Sequence, residues 1–177
     1  MNKVEINNRK KIALGGGCHW CTEAVFQSLN GVVSVEQGFV SSFGLDFSFS
    51  EAIIVHYDST LIDLKDLIEI HLHTHESTSN HSFRKKYRSA IYTYCKTQAE
   101  EAKQILVDLQ KDFNNLLVTK VYPFRSFKPT KEEYANYYFS NPKKPFCKKF
   151  IAPKLKLLLK KFPKKLTSTN LMELVVS

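Results

Sequence analysis

The sequence predicts an α+β fold, a two-layer α/β sandwich in which helices pack on one sheet. Two observations carry this prediction. Segments with helical spacing alternate with β-branched runs along the chain, and some of these runs follow one another like the strands of a hairpin. We therefore expect a ferredoxin-like mixed sheet with helices packed on it and an irregular C-terminal segment. The length fits a single domain over residues 1–165, followed by a tail over residues 166–177.

The first third of the chain predicts one helix and three strands. Residues 11–14 form a short apolar run that stops at three glycines, and residues 18–29 then carry apolar side chains at helical spacing. Residues 32–40 and 51–57 are two β-branched runs joined by a segment that contains glycine and serines. The expected order is strand, glycine turn, helix and two further strands.

Helices and strands continue to alternate through the middle of the chain. Leucines and isoleucines on one helical face predict a helix from Thr60 to about His73, with Ser59 or Thr60 as its N-cap. Residues 89–94 alternate like a strand after a polar loop. An amphipathic helix is expected over residues 97–113, with Thr97 as the N-cap of a capping box.

The last third is less regular. Residues 117–122 predict a strand, the prolines after it mark a loop, and residues 130–139 predict a helix. Pro142 breaks this helix, and an irregular stretch leads to Cys147. A lysine-rich segment with leucines on one side follows.

The net charge of +9 is concentrated near the C-terminus, where residues 143–165 hold ten lysines and no acidic residue. A basic segment of this kind is typical of a solvated face, so nucleic acid is not an expected partner. The chain has no run of about 18 apolar residues, and residues 1–11 lack the apolar stretch of an export signal. We expect a cytoplasmic monomer that does not bind a membrane.

Cys18 is the strongest candidate for chemistry. It follows three glycines at the start of a predicted helix, where free backbone N–H groups and the helix dipole favour the thiolate. Cys21 completes a Cys-x-x-Cys pair, which in a reducing compartment is more often catalytic or metal-binding than structural. Zinc is the alternative, but His71, His73 and His75 alternate instead of standing three or four residues apart. We expect no metal, and these histidines are expected to end a helix and contact its last carbonyls.

Four separated motifs resemble the peptide-methionine (S)-S-oxide reductase family, also called MsrA. Residues 16–21 (Gly-Gly-Cys-His-Trp-Cys) are similar to the Gly-Cys-Phe-Trp signature of that family. Residues 51–58, 87–92 and 133–147 then follow in the family's order and with compatible spacing. The resemblance covers roughly residues 11 to 165, and it identifies the chain as a divergent member of the family with a single methionine sulfoxide reductase-like domain.

The resemblance implies thiol-dependent reduction of methionine-S-sulfoxide, free or in proteins, to methionine. Cys18 would attack the sulfoxide sulfur, leaving a sulfenic acid on the enzyme. Glu51 matches the family's proton donor, although alone it is typical of a surface residue at a strand edge. Tyr87 matches a tyrosine that binds the sulfoxide oxygen, and Trp20 matches an aromatic residue that packs on the substrate methyl group.

The sulfenic acid must be resolved by a second thiol. Cys147 matches the family's recycling cysteine on a C-terminal segment, so a Cys18–Cys147 disulfide is implied, reducible by thioredoxin or a similar dithiol. Cys21 is the alternative resolving cysteine, because a residue three positions along a helix can also reach Cys18. No cofactor is expected.

The departures from the family pattern lie in the substrate site. His19 replaces the phenylalanine beside the nucleophile, Phe39 stands where a second oxygen-binding tyrosine is usual, and Ser82 replaces an aspartate. We expect His19, Trp20, Phe39, His81 and Ser82 to line the substrate site, with His81, Ser82 or His19 supplying replacement hydrogen bonds.

Two other functions remain open from the sequence. One is a degenerate, non-catalytic family member that acts as a basic binding module. The other is a disulfide oxidoreductase that uses Cys18 and Cys21 as its redox pair.

Overall fold

The computed structural model describes residues 7–169. One mixed sheet forms the centre of this part of the chain. Its strands are β1 (Arg9–Gly15), β2 (Val32–Ser41), β3 (Ser50–Asp58), β4 (Ala90–Thr93), β5 (Lys120–Pro123) and β6 (Ser126–Pro129). The order across the sheet is β5-β4-β1-β3-β2-β6. The four inner strands are antiparallel to one another, β6 is antiparallel to β2, and β5 runs parallel to β4. The predicted ferredoxin-like α+β fold is confirmed.

The helices cover one face of the sheet. They are α1 (His19–Gln27), α2 (Leu64–Thr74), α3 (Lys96–Leu109), α4 (Tyr137–Ser140) and α5 (Ala152–Lys161). The main core lies between the two layers, where Ile12 and Leu14 of β1 pack with Phe26 of α1 and Leu67 of α2. Burial of these large apolar side chains is the dominant stabilising contribution. A smaller cluster lies on the opposite face of the sheet.

The predicted start of α2 is wrong by a few residues. Asp63 is the N-cap, and its side chain accepts a hydrogen bond from the backbone N–H of Asp66. Thr60 instead donates its hydroxyl to Asp58 in the turn before the helix. Asp is as good an N-cap as Ser or Thr, so N-cap propensity alone does not distinguish Asp63 from Ser59 or Thr60.

The capping box predicted at Thr97 is also wrong. Helix α3 begins at Lys96 with Cys95 as its N-cap, so Thr97 already lies inside the helix. The side chain of Gln98 accepts a hydrogen bond from the N–H of Tyr94 and thereby ties the helix start to the end of β4. The rest of the predicted span is helical, with a 3₁₀ turn after Leu109.

The helix predicted over residues 130–139 is replaced by shorter pieces. Strand β6 precedes this region, and a 3₁₀ turn at Glu132–Tyr134 leads to the single turn of α4. The buried carboxylate of Glu23 accepts the N–H groups of Asn136 and Tyr137, and Asn136 has a left-handed φ of 54°. A continuous helix cannot include that backbone conformation, which explains the break.

The lysine-rich segment is an amphipathic helix preceded by a π-helical turn at Cys147–Ile151. Leu155 and Leu158 of α5 are fully buried, and Lys156, Lys160 and Lys161 are exposed, whereas Lys154 is half-buried and donates to the carbonyl of Thr74. Leu166 is also buried and pairs with Leu29, although the tail was predicted to begin there. Residues 170–177 of that tail and residues 1–6 of the polar N-terminus lie outside the described residues. Within residues 7–169, none of the helices has the length and apolar character needed to cross a membrane.

We expect Gly16→Ala to destabilise the fold strongly, and Gly17→Ala to serve as its control. A Cβ at Gly16 would lie 2.4 Å from the ring of His75, whereas a Cβ at Gly17 meets nothing within 4 Å. Overpacking of a buried, hydrogen-bonded ring costs about 1–3 kcal/mol. Urea unfolding should show this loss for Gly16→Ala and a change of about 0.5 kcal/mol or less for Gly17→Ala. Equal stabilities for the two variants would contradict the packing described for this turn.

Candidate active site

The glycine turn between β1 and α1 places Cys18 just beyond the C-terminal end of β1, an inner strand of the sheet. Cys18 is the N-cap of α1, and its carbonyl accepts the N–H groups of Cys21 and Thr22 at 3.1 and 3.2 Å. Its side chain is half-buried. The glycines are needed because a Cβ at Gly15 would lie 2.9 Å from the carbonyl oxygen of Glu51. The turn therefore brings the helix N-terminus close to β3.

The surroundings of Cys18 favour its thiolate. The pKa of Cys18 is lowered, first by a hydrogen bond from the Cys21 thiol and then by the backbone N–H groups of Trp20 and Cys21, against the opposing effects of burial and of Glu51. The pKa of Cys21 is raised by the same contact with Cys18 and by burial. Cys21 consequently stays protonated and donates its S–H to the Cys18 thiolate. Such a thiolate is a good nucleophile.

Two histidines at the C-terminal end of α2 pack against the glycine turn. The Nε2–H of His71 donates to the carbonyl of Gly15 at 2.8 Å, and the Nδ1–H of His75 donates to the carbonyl of His71. Burial lowers the pKa of His71 to about 4, so this ring is neutral at physiological pH. His75 thus contacts a last-turn carbonyl as predicted, but the contact of His71 with the turn was not foreseen.

A second support comes from the loop before β4. The guanidinium of Arg84 donates to the carbonyls of Gly16, Glu76, Ser79 and Tyr87. These bonds fasten the glycine turn and both ends of the loop to one side chain. No sequence motif indicated this role, because every acceptor is a backbone carbonyl.

Glu51 lies beside the glycine turn in a buried position. It belongs to β3, pairs with Phe39 of β2, and is 8% exposed. Burial raises the pKa of its carboxyl, while the charge of Lys86, the Tyr87 hydroxyl and the backbone N–H of His19 act in the opposite direction. A buried carboxyl with a raised pKa can hold a proton near neutral pH, which a general acid requires.

His19 makes two polar contacts on opposite sides of its ring. Its Nδ1 lies 2.7 Å from the carbonyl oxygen of Gly38, and its Nε2 lies 3.1 Å from Oε1 of Glu51. Phe39 packs edge-on against the ring at 5.1 Å between centroids. The ring therefore fills the space between β2 and Glu51, and both of its nitrogens are occupied by protein groups.

A cation and a phenol lie at the mouth of the site. Lys86 places its Nζ 4.9 Å from the centroid of the Tyr87 ring. The pKa of Lys86 is raised by the hydroxyl of Tyr87 and by the charges of Glu51 and Cys18. Both side chains are therefore near the two groups that would carry the chemistry. Lys86 was missed by the sequence analysis, which treated the residues before Tyr87 as a polar loop.

An aromatic cluster surrounds Trp20. Tyr137 stacks on the indole with 4.0 Å between centroids and 6° between planes, and Phe146 lies edge-on at 5.3 Å. Glu23 of α1 orients this cluster by accepting the N–H groups at the start of α4. One face of the Trp20 ring is thus already covered by Tyr137. A substrate methyl group could reach the indole face only from the other side or by displacing Tyr137.

A cavity of about 300 Å³ opens beside Cys18. Its walls include Cys21, His81, Tyr87 and Phe146. This volume is at the lower limit for a ligand pocket and suits a single side chain. Four expected site residues, His19, Trp20, Phe39 and Glu51, lie outside the lining of this cavity. Ser82 also lies outside it, and its side chain is exposed.

The cysteines differ in their surroundings. Cys147 is fully buried in the π-helical turn and belongs to the core cluster that also contains Cys21 and against which Tyr137 packs. Cys95 is exposed at the start of α3. All four cysteines are free thiols. Among residues 7–169, no three His, Cys, Asp or Glu side chains are arranged to hold a metal ion.

The structure therefore brings most of the expected site residues together around one turn. Glu23, Lys86 and Arg84 are additions that the sequence analysis missed, since each acts on groups far away in the chain or on backbone atoms. The local signal for Glu23 was a charged residue on the apolar face of a helix, which is rarely buried without a partner.

Comparison with known proteins places this geometry in a family. The sequence model of the peptide methionine sulfoxide reductase family matches residues 10–166. The MsrA protein of Erwinia tasmaniensis is 32% identical over 164 residues, which cover 84% of this chain and 92% of that protein. The MsrA protein of Trichodesmium erythraeum is 32% identical and covers 86% of this chain and 95% of its own length.

Solved structures agree in fold. Reduced Mxr1 from Saccharomyces cerevisiae superposes with a TM-score of 0.69 at 24% identity, covering 80% of this chain and 90% of that one. Methionine sulfoxide reductase A of Corynebacterium diphtheriae gives a TM-score of 0.67 at 23% identity, covering 78% of this chain and 77% of that one. The family match spans nearly all of the described residues, and the chain belongs to the peptide methionine sulfoxide reductase family.

Proposed function

We propose that the protein reduces methionine-S-sulfoxide, free or in proteins, to methionine through a sulfenic acid on Cys18. The observation that carries this proposal is the pair of opposite pKa shifts at the glycine turn. Cys18 is held toward its thiolate, while the neighbouring Glu51 is held toward its neutral acid. Groups whose environments separate their pKa values in this way are suited to act as nucleophile and acid in one step.

In the first step, the Cys18 thiolate forms a bond to the sulfoxide sulfur, and Glu51 gives its proton to the sulfoxide oxygen. The resulting hydroxyl group moves to the Cys18 sulfur, and the sulfur–oxygen bond of the substrate breaks. Methionine leaves, its sulfur reduced by two electrons, and Cys18 is oxidised by two electrons to a sulfenic acid. Glu51 is left as a carboxylate.

The substrate oxygen needs further hydrogen-bond donors, because Phe39 has no hydroxyl. Tyr87 is one such donor, since its hydroxyl is a hydrogen-bonding neighbour of both Glu51 and Lys86. Of the three replacements expected from the sequence, His81 lines the cavity, Ser82 lies outside it, and His19 is engaged by Gly38 and Glu51. We assign the supplementary role to His81, with Lys86 providing positive charge at the mouth of the site.

In the second step, a second thiol attacks the Cys18 sulfur, a disulfide forms, and the hydroxyl group leaves as water after taking a proton. We propose Cys147 as this thiol, supported by its place in the core cluster that contains Cys21 and against which Tyr137 packs. Cys21 is the alternative, supported by its direct contact with Cys18.

The disulfide must then be reduced by an external dithiol, and we propose a protein of the thioredoxin class. A complex of Mxr1 from Saccharomyces cerevisiae with Trx2 has been solved, and that protein shares the fold with a TM-score of 0.60. The cycle requires thiols that are reduced between turnovers, so we place the protein in the cytoplasm, where such a dithiol is maintained. The extent of the domain as residues 1–165 and the monomeric state remain parts of this proposal.

A single-turnover reaction tests the proposal and separates the two resolving cysteines. Fully reduced protein receives one equivalent of methionine-S-sulfoxide without reductant, and the peptides are then mapped by mass. We expect one equivalent of methionine, the loss of two thiols, and a Cys18–Cys147 bridge. A Cys95→Ser control should give the same result, because Cys95 is exposed on the opposite end of β4 from the glycine turn. A Cys18–Cys21 bridge would reassign the resolving role, and retention of all thiols with no released methionine would contradict the proposal.

A further inference from the structure

On the side that faces Gly38, the ring of His19 can only donate a hydrogen bond. A carbonyl oxygen can accept but cannot donate, so the 2.7 Å contact with Gly38 requires a hydrogen on Nδ1. In the neutral imidazole the other nitrogen then carries a lone pair. That nitrogen, Nε2, lies 3.1 Å from Oε1 of Glu51. One proton must therefore lie between the two atoms, on either the carboxyl or the ring.

The surroundings decide which group holds this proton. His19 is 4% and Glu51 8% exposed, so an imidazolium–carboxylate pair would place two charges in a buried site. The other ionisable groups that face the pair are Lys86 and Tyr87 from the loop before β4 and Cys18 from the start of α1. Burial and the charge of Lys86 lower the pKa of His19, and burial raises that of Glu51. Both effects favour the neutral pair.

Resting on the proposed function, we infer that His19 is a positioning residue that accepts a hydrogen bond from protonated Glu51 and so keeps the general acid neutral until a substrate oxygen takes its proton. With Oε1 held by His19, the second oxygen of the carboxyl, Oε2, is buried without a hydrogen-bond partner among the described residues. The single proton of the acid lies on Oε1, so the Oε1 hydroxyl turns from Nε2 toward the sulfoxide oxygen when it gives up this proton, whereas Oε2 can only accept hydrogen bonds. His19 acts on Glu51 and not on the substrate, which reassigns it from the substrate-binding role expected from the sequence.

The structure offers a matched control for this pair. His56 of β3 and Glu36 of β2 form a second His–Glu pair, with Nε2 and Oε2 2.6 Å apart. Their side chains are 36% and 51% exposed, so water screens the contact and can supply or remove the proton. The buried pair and the exposed pair thus differ in their environment while sharing the same two residue types.

The direct test is the protonation state of His19 in the full-length reduced protein, measured from the ¹⁵N shifts of its imidazole. We expect the neutral Nδ1–H tautomer at pH 7. An imidazolium pattern, or a neutral ring with its hydrogen on Nε2, would overturn the inference. This measurement needs no substitution, so it stands even if a His19 variant fails to fold, and it does not depend on turnover.

The second test follows the carboxyl carbon of Glu51 by ¹³C NMR in wild type and in His19→Phe, with the signal assigned from Glu51→Gln. Phenylalanine keeps the ring that packs on Phe39 but removes the acceptor at Nε2. Because a hydrogen bond to the neutral acid is lost, the pKa of Glu51 should fall by about half to one unit. If His19 were instead a cation paired with the carboxylate, the same substitution would raise that pKa. A raised or unchanged value would therefore overturn the inference, and His56→Phe should leave the value unchanged.

A third test compares the pH dependence of kcat in wild type and in His19→Phe. The fall in kcat with rising pH should move to lower pH in His19→Phe by the same half to one unit, because the active form of Glu51 is the protonated one. A loss of kcat at all pH values without this displacement would indicate a purely structural role. Absence of sulfoxide reduction in wild type would instead refute the proposed function, and the two failures are therefore distinguishable.

Discussion

Cys18→Ser should lose essentially all sulfoxide reduction, with a fall in kcat of about a thousandfold or more. A serine hydroxyl is not ionised near neutral pH. Its oxygen atom also cannot accept the substrate oxygen in the way that the cysteine sulfur does when it becomes a sulfenic acid. The measurement is methionine release from methionine-S-sulfoxide with excess dithiothreitol. Since dithiothreitol can resolve a sulfenic acid directly, this assay isolates the first step from the choice of resolving cysteine.

The control for this variant is Cys95→Ser, which removes an exposed thiol and should retain wild-type activity. Urea unfolding of both variants tests whether the fold is kept. Turnover by folded Cys18→Ser within about tenfold of wild type would contradict the assignment of the nucleophile.

Glu51→Gln should reduce kcat by about a hundredfold to ten-thousandfold, the usual contribution of a positioned general acid. Glutamine has nearly the same shape but cannot give a proton to the sulfoxide oxygen. The pH dependence should change as well. The raised pKa of Glu51 means that wild-type activity is present below this pKa and is lost as pH rises through it, and the variant should lack this limb.

Glu36→Gln is a matched control, because Glu36 lies on the neighbouring strand with its side chain exposed. It should leave both kcat and the pH profile unchanged. The interpretation of Glu51 as an acid would be contradicted if Glu51→Gln kept the alkaline limb of wild type, or if both variants lost activity to the same extent.

The elements that could be predicted from the sequence are those whose periodic apolar side chains are also the ones buried by tertiary packing. The strands that contain residues 11–14 and 51–57, and the long helix α3, have periodic apolar side chains that the sheet and the helix layer bury. The region around Asn136 was not predictable in this way. Its backbone is shaped by the carboxylate of Glu23, more than a hundred residues earlier in the chain.

The residues of the site also differ in how far the sequence predicts them. The reactivity of Cys18 could be inferred locally, because glycines followed by a helix start are a feature of the sequence. Glu51 required the family resemblance, since nothing in its own strand indicates burial beside a thiol. The engagement of His19 with Gly38 and Glu51 required the structure, because it depends on how β2 and β3 pair next to α1.

The central claim is that the thiol of Cys18 and the acid of Glu51 act together on a sulfoxide. The most direct measurement is turnover of the two separated epimers of methionine sulfoxide by the wild-type protein with dithiothreitol. We expect methionine from the S epimer and essentially none from the R epimer. No methionine from the S epimer, in protein whose Cys18 is shown to be reduced, would contradict it.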